Sequence, residues 1–188
     1  MKTALPVNQR ELRALSRKFG APHHDELRLD TWPMPRAGRG DRRGEVIFAI
    51  RNPRGRILLH TKSFYPKGVY RLPGGGIHWD EDVEDALYRE VAEETGLPVE
   101  VDRFVGLIQY EVRRQMKTFA SYVFLLHTEK LVPRVQDPKE RISGFKQVSA
   151  AGLRAASRRL QKLSDDWDVW GKFRARAHEL VLEALDDE

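Results

Sequence analysis

Between Gly75 and Leu97 the chain reads GGIHWDEDVEDALYREVAEETGL, and acids stand there where a helix should be apolar. From Glu81 to Thr95 there is no Gly or Pro, and Gly96 followed by Pro98 is a helix stop. Asp80, Glu81 and Asp82 open the segment, which suits the positive end of a helix dipole. At about 100° per residue, Val83, Ala86, Leu87 and Val91 share one arc. Glu90 and Glu94 fall inside that arc and Glu93 lies at its edge. Three carboxylates therefore face inward at the C-terminal end of the helix, where the dipole opposes them.

Inward acids in a cluster are unfavourable unless a cation neutralises them, because an unpaired buried charge costs several kcal/mol or shifts its pKa. Hard divalent cations, which prefer oxygen ligands, are the natural partner. A solvated acidic helix is the plainer alternative. It would put the acids opposite the apolar arc, and they are not there.

The spacing is also specific. Written G-x5-E-x7-R-E-U-x-E-E-x-G-U, with U a bulky aliphatic, the pattern is filled throughout by Gly75, Glu81, Arg89, Glu90, Val91, Glu93, Glu94, Gly96 and Leu97. In this the chain resembles the Nudix hydrolases, which cleave nucleoside diphosphates linked to another moiety. The resemblance covers about residues 45–153 and implies an α/β/α sandwich on a mixed sheet. It implies Mg²⁺, with Mn²⁺ able to substitute, held by Glu90, Glu93, Glu94 and the carbonyl of Gly74 or Gly75. Arg89 is expected to support the glutamates, Glu81 included, from behind rather than to touch substrate. The implied reaction is attack of water on a phosphorus of a diphosphate bridge, and a carboxylate must take the water proton. Glu93 and Glu94 are candidates within the segment. Downstream, KERISGFKQVSAAGL at 139–153 resembles the family's late acidic segment and offers Glu140, with Asp137 as its rival. Gln147 and Gly144 depart from that segment's usual aromatic and acid, and His78 and Trp79 from the usual lead into the first fixed glutamate.

Elsewhere the chain reads as attachments to this unit. Residues 8–19 make a short amphipathic helix closed by Gly20, and 33–44 form a loop carrying Arg36, Arg39, Arg42 and Arg43. Strands are expected at 45–50, 56–60, 69–72, 99–110, 118–127 and 141–149, with the glycines at 74–76 as a loop and helices at 150–162 and 165–185. On the last helix Trp167, Trp170, Phe173, Ala177, Leu180, Val181 and Ala184 form an apolar stripe, which reads as core, with a homodimer contact or a base-stacking surface as the alternatives. The expected division is an N-terminal extension at 1–43, a catalytic domain at 44–153 and a helical extension at 154–188.

Substrate contacts are expected just before the glycines, from Lys62, Lys67, Arg71 and Tyr70, whose charges and ring suit phosphates and a base. The balance of 33 Lys and Arg against 28 Asp and Glu gives a net charge of +5. Such moderate basicity fits a phosphorylated ligand, or serves only solubility. Absence of cysteine excludes disulfides, thiolate zinc and a cysteine nucleophile, and with it the cysteine-dependent isomerases that share the fold. No signal peptide, membrane span or DNA-binding module is legible, so a cytoplasmic protein acting on a nucleotide-type small molecule is expected. A non-catalytic nucleotide sensor and an RNA-end pyrophosphohydrolase are the competing classes.

Overall fold

The computed structural model describes residues 7–33, 42–114 and 117–187. The elements run α1 (Gln9–Phe19), β1 (His23–Leu29), β2 (Arg42–Arg51), β3 (Ile57–Lys62), β4 (Gly74–His78), α2 (Val83–Thr95), β5 (Glu100–Val112), β6 (Lys117–His127), β7 (Ile142–Val148), α3 (Ala150–Gln161) and α4 (Asp168–Asp186). Single 3₁₀ turns, Pro138–Glu140 and Asp165–Trp167, precede β7 and α4.

The strands form one mixed sheet in the order β1-β5-β6-β2-β3-β7, with β4 paired to β2. β1 runs parallel to β5 and β2 parallel to β6, while the β5–β6, β2–β3, β2–β4 and β3–β7 pairs are antiparallel. Period-two alternation in β2 shows how the layers are built. Val46, Phe48 and Ile50 join Leu12, Leu15, Val83, Leu87 and Val91 in a core under α1 and α2. Ile47 and Ala49 join Trp170, Phe173, Leu180 and Val181 in a second core under α4. Both faces of the sheet are covered, so the chain is an α/β/α sandwich, and the stripe on α4 is used in its own core. Among the described residues no helix is long and apolar enough to cross a membrane.

Three elements differ from the sequence reading. β1, with the sequence HHDELRL, is an edge strand whose polar residues alternate between exposed and half-buried, and it carries too few apolar side chains to announce itself. Residues 69–72, expected as a strand, make only a single bridge between Arg71 and His60. The glycines expected as a loop instead lie in β4, where Gly74, Gly75 and Gly76 pair with Ile47, Val46 and Glu45. Arg42 and Arg43, placed in the basic loop by their composition, begin β2, and Arg36 and Arg39 lie outside the described residues. The boundary drawn between 153 and 154 falls within α3.

Candidate active site

α2 ends as its sequence requires. Gly96 takes the left-handed conformation at φ 61°, and its N–H meets the Ala92 and Val91 carbonyls. Packing of Val83, Ala86, Leu87 and Val91 against the sheet turns Glu90 and Glu94 inward, where they are 5% and 0% exposed. β4 lies against the same face, and here glycine is required by space. A Cβ on Gly75 would sit 2.0 Å from Oε2 of Glu90. The strand can approach the helix only because this position carries no side chain.

Arg89 gathers the acids. Its Nε donates to Glu81 Oε1 at 2.7 Å and its Nη2 to Glu81 Oε2 at 2.9 Å, a two-pronged bond. Nη1 donates to Glu90 Oε1 at 2.7 Å and Glu93 Oε2 at 3.0 Å, and Nη2 also reaches the Gly76 carbonyl at 2.8 Å. These bonds hold the Glu81 carboxyl below its usual range. Glu90 goes the other way. Burial pushes it up to about 7, against the pull of Arg89.

Oxygens of Glu90, Glu93 and Glu140 lie within 4.8 Å of one another, and this group can chelate a divalent cation. Glu140 reaches it from the 3₁₀ turn before β7. Asp137 does not, because its carboxylate caps that turn by accepting the Lys139 N–H at 2.9 Å. Two observations favour a cation here. Oε2 of Glu90 is buried without a hydrogen-bond partner among the described residues, and the donors are all hard carboxylate oxygens.

Glu94, expected in the same set, lies beside these three acids. It accepts the Gly74 N–H at 2.9 Å and lies 3.0 Å from Lys62 Nζ, which also donates to Glu140 at 2.6 Å. The ammonium therefore occupies the gap between the two carboxylates. The Gly74 carbonyl is turned toward Arg71, whose Nη2 donates to it at 3.4 Å. Burial raises the Glu94 carboxyl, with Lys62 and Arg71 opposing. His60, fully buried with its Nδ1 3.7 Å from Glu94, is driven well below its ordinary pKa by burial and the neighbouring cations, and is neutral.

Beside the acids opens a cleft of about 220 Å³, lined among others by Arg42, Lys62, Phe64, Tyr65, Arg71 and Trp167. Lys62 and Arg71, two of the expected substrate contacts, line this cleft, although each is already paired. Arg71 donates to the Tyr65 hydroxyl at 2.8 Å and the Leu72 carbonyl at 2.6 Å. Lys67 and Tyr70 are not brought to this cleft. Lys67 is exposed on the turn beyond β3, its carbonyl bonded by Arg159, and Tyr70 lines a separate groove beside Lys146 and Arg159. The neighbours are split, for Arg71 is buried and lines the cleft while Tyr70 is half-buried and lines the separate groove.

Sequence reasoning missed the floor. Glu45 on β2 accepts two bonds from Arg174 Nη1 on α4, each 2.9 Å, and one from the Ser121 hydroxyl at 2.7 Å. One turn on, His178 accepts the Leu72 N–H at 3.2 Å. The available signals were a glutamate leading an otherwise apolar strand and an arginine inside the apolar stripe of the last helix.

With the geometry in place, comparison with known proteins is informative. The sequence model of the NUDIX domain matches residues 41–166. A protein named ADP-ribose pyrophosphatase from Methanocaldococcus jannaschii is 39% identical over 70 residues, which is 37% of this chain and 41% of that protein. A mouse protein named diphosphoinositol polyphosphate phosphohydrolase 3-alpha is 33% identical over 43% of this chain and 47% of its own length. The match thus spans less than half of these curated relatives. Among solved structures, a NUDIX hydrolase from Nitrosomonas europaea superposes with a TM-score of 0.55 at 17% identity, covering 75% of this chain and 88% of that one, a likeness of fold.

Proposed function

The chain belongs to the NUDIX domain family and is classed with the Nudix hydrolases, and from that premise we propose that it uses Mg²⁺, with Mn²⁺ able to substitute, to hydrolyse a P–O–P bond in a nucleoside diphosphate derivative or a nucleoside triphosphate. The observation that carries this reading is the convergence of Glu90, Glu93 and Glu140 beside a cleft walled by cations and aromatic rings. Glu90, Glu93 and Glu140 would hold the ion. When bound it polarises phosphoryl oxygens and lowers the pKa of an attacking water.

The chain's own residues supply the rest. Arg89 holds Glu81, Glu90 and Glu93 in place, so the carboxylates need not be gathered when substrate arrives. Water attacks phosphorus, a P–O bond forms, and the bridging P–O bond breaks with its electron pair leaving on the departing phosphate. The water proton passes to Glu93 or Glu140, the two half-buried acids of the group. Glu94 is enclosed and serves instead to hold the Gly74 amide and Lys62. Charge on the diphosphate is met by Arg42, Lys62 and Arg71, and the rings of Phe64, Tyr65 and Trp167 offer flat apolar surface to a base. A monophosphate ester would leave part of this array unmatched.

The test is a panel with Mg²⁺, starting from ADP-ribose because of the named relative and including dinucleotides, nucleoside triphosphates and AMP. Products are followed as phosphate after phosphatase treatment. Turnover of at least one diphosphate-bridged substrate, with ¹⁸O from labelled water recovered in a phosphate product, is expected. Faster turnover of AMP than of every diphosphate would overturn the proposal.

A further inference from the structure

α2 lacks a cap of its own. Asp82 stands at the N-cap position in extended backbone, yet its carboxylate makes no capping bond. The cap comes from another part of the chain. Oε1 of Glu11, on α1, accepts the Val83 N–H at 2.6 Å. The same oxygen accepts from Arg43 Nη2 at 2.8 Å, and that nitrogen also donates to the backbone carbonyl of Glu81 at 2.7 Å. The Arg43 and Glu11 side chains are only 10% and 11% exposed. Glu11 holds this position although its second oxygen is buried without a hydrogen-bond partner among the described residues, which is a cost set against the cap.

A continuous path follows from these bonds. Glu11 fixes the first amide of α2, and Arg43 fixes the Glu81 carbonyl. The Glu81 carboxylate then holds both prongs of Arg89, and Arg89 holds Glu90 and Glu93. A carboxylate at a helix start also meets the positive end of the dipole, so the same side chain satisfies a bond and a field. We propose that Glu11 and Arg43 are positioning residues for the metal-binding carboxylates: they fix the start of α2, and through Glu81 and Arg89 they set where Glu90 and Glu93 stand before an ion arrives. α1 is then a working part of the site. The proposal rests on the metal-dependent reading given above.

The experiment pairs Mn²⁺ calorimetry on the full chain with steady-state hydrolysis and amide hydrogen exchange at Val83. The variants are Glu11→Ala, Glu11→Gln, Arg43→Met and Lys18→Ala. Lys18 ties α1 to Glu84 but touches neither the Val83 amide nor Glu81, so it controls for general loosening of α1. Glu11→Ala and Arg43→Met should weaken Mn²⁺ binding and lower kcat about tenfold each, the low end of what outer supports of metal ligands contribute. KM should stay within about twofold, because neither residue reaches the cleft. Glu11→Gln, which can still accept the Val83 N–H, should recover much of both, and Lys18→Ala should match the wild type. Should Glu11→Ala fail to fold, Arg43→Met carries the same expectation, because it keeps Glu11 as the acceptor of the Val83 N–H while removing the bonds of Arg43 to Glu11 and to the Glu81 carbonyl. Wild-type Mn²⁺ affinity and kcat in Arg43→Met and in a folded Glu11→Ala, with Val83 exchange accelerated in the latter, would overturn the proposal and leave the metal reading standing. No Mn²⁺ binding by the wild type would instead remove the metal reading, and this inference with it.

Discussion

Lys62 lines the cleft and is already ion-paired before any substrate arrives. Its charge and position before the glycines suggest a substrate contact, but its ammonium sits between Glu94 and Glu140 at 3.0 and 2.6 Å. Burial alone would lower its pKa, and the pull of Glu94 keeps it raised, so it is a lysine cation. Lys62→Met would leave Glu94, which has no solvent exposure, without its ion pair. Removing one partner of a buried pair costs roughly 3 kcal/mol or more, and a divalent ion is the group best suited to replace the lost charge. The variant should therefore melt well below the wild type in EDTA and gain more from millimolar Mg²⁺ than the wild type does. Equal melting temperatures in EDTA would show that the pair is not stabilising. The contrast with Arg89 explains what was legible. Arg89, Glu90 and Glu93 share one helix, and Glu81 leads into it, so spacing alone brings them together. Lys62, Glu94 and Glu140 come from three elements, and Glu45 and Arg174 from two, so only the assembled sheet makes them neighbours.

At the scale of elements, α2 and β4 define the site by how closely they approach. Helical periodicity separates the two faces of α2, and Glu90 is buried where Asp85 is exposed. Glu90→Gln should lower kcat by ~10²-fold or more, as loss of a preorganised electrostatic group does, while Asp85→Asn should be nearly neutral. Comparable losses in both would mean that the face of the helix does not matter. Gly75→Ala tests the strand from the other side. Its new methyl would overlap the Glu90 carboxylate, so divalent-ion affinity should fall about tenfold or more. Gly144→Ala on β7, where the nearest atoms are 3.6 Å away, should leave affinity unchanged. The same closeness is why the glycines read as a loop. Without side chains they show no alternation, so a strand made of them has no period to detect. β1 escaped for the opposite reason, having side chains enough but few that are buried.

Across the whole molecule, the second core and the cleft are joined by α4, which carries apolar packing, Arg174 and His178 on one face. His178 is 1% exposed and uses both ring nitrogens, with Nε2 accepting the Leu72 N–H at 3.2 Å and Nδ1 2.9 Å from the Arg174 carbonyl. That pairing requires the neutral ring with its proton on Nδ1. Burial, with the charges of Arg71 and Arg174, drives its pKa down to about 3. The sign of the consequence follows from linkage. Unfolded, the ring takes a proton below its ordinary value near 6.5, whereas the folded ring stays neutral until about pH 3. The unfolded state thus binds one proton more across that window, and stability falls by about 1.4 kcal/mol per pH unit as pH drops below 6.5. Glu90 works in the opposite direction, gaining its proton near pH 7 in the folded state, so the net acid profile of the wild type mixes both. His178→Gln isolates the histidine. Glutamine can accept the Leu72 N–H and donate to the Arg174 carbonyl but does not titrate, and the glutamates are common to both proteins. Urea unfolding at pH 7 and pH 5 should show the variant losing about 2 kcal/mol less than the wild type over that interval. Parallel losses would mean that His178 takes up its proton over the same pH range folded as unfolded, and that its bond to the Leu72 amide is not what holds the segment leading into β4.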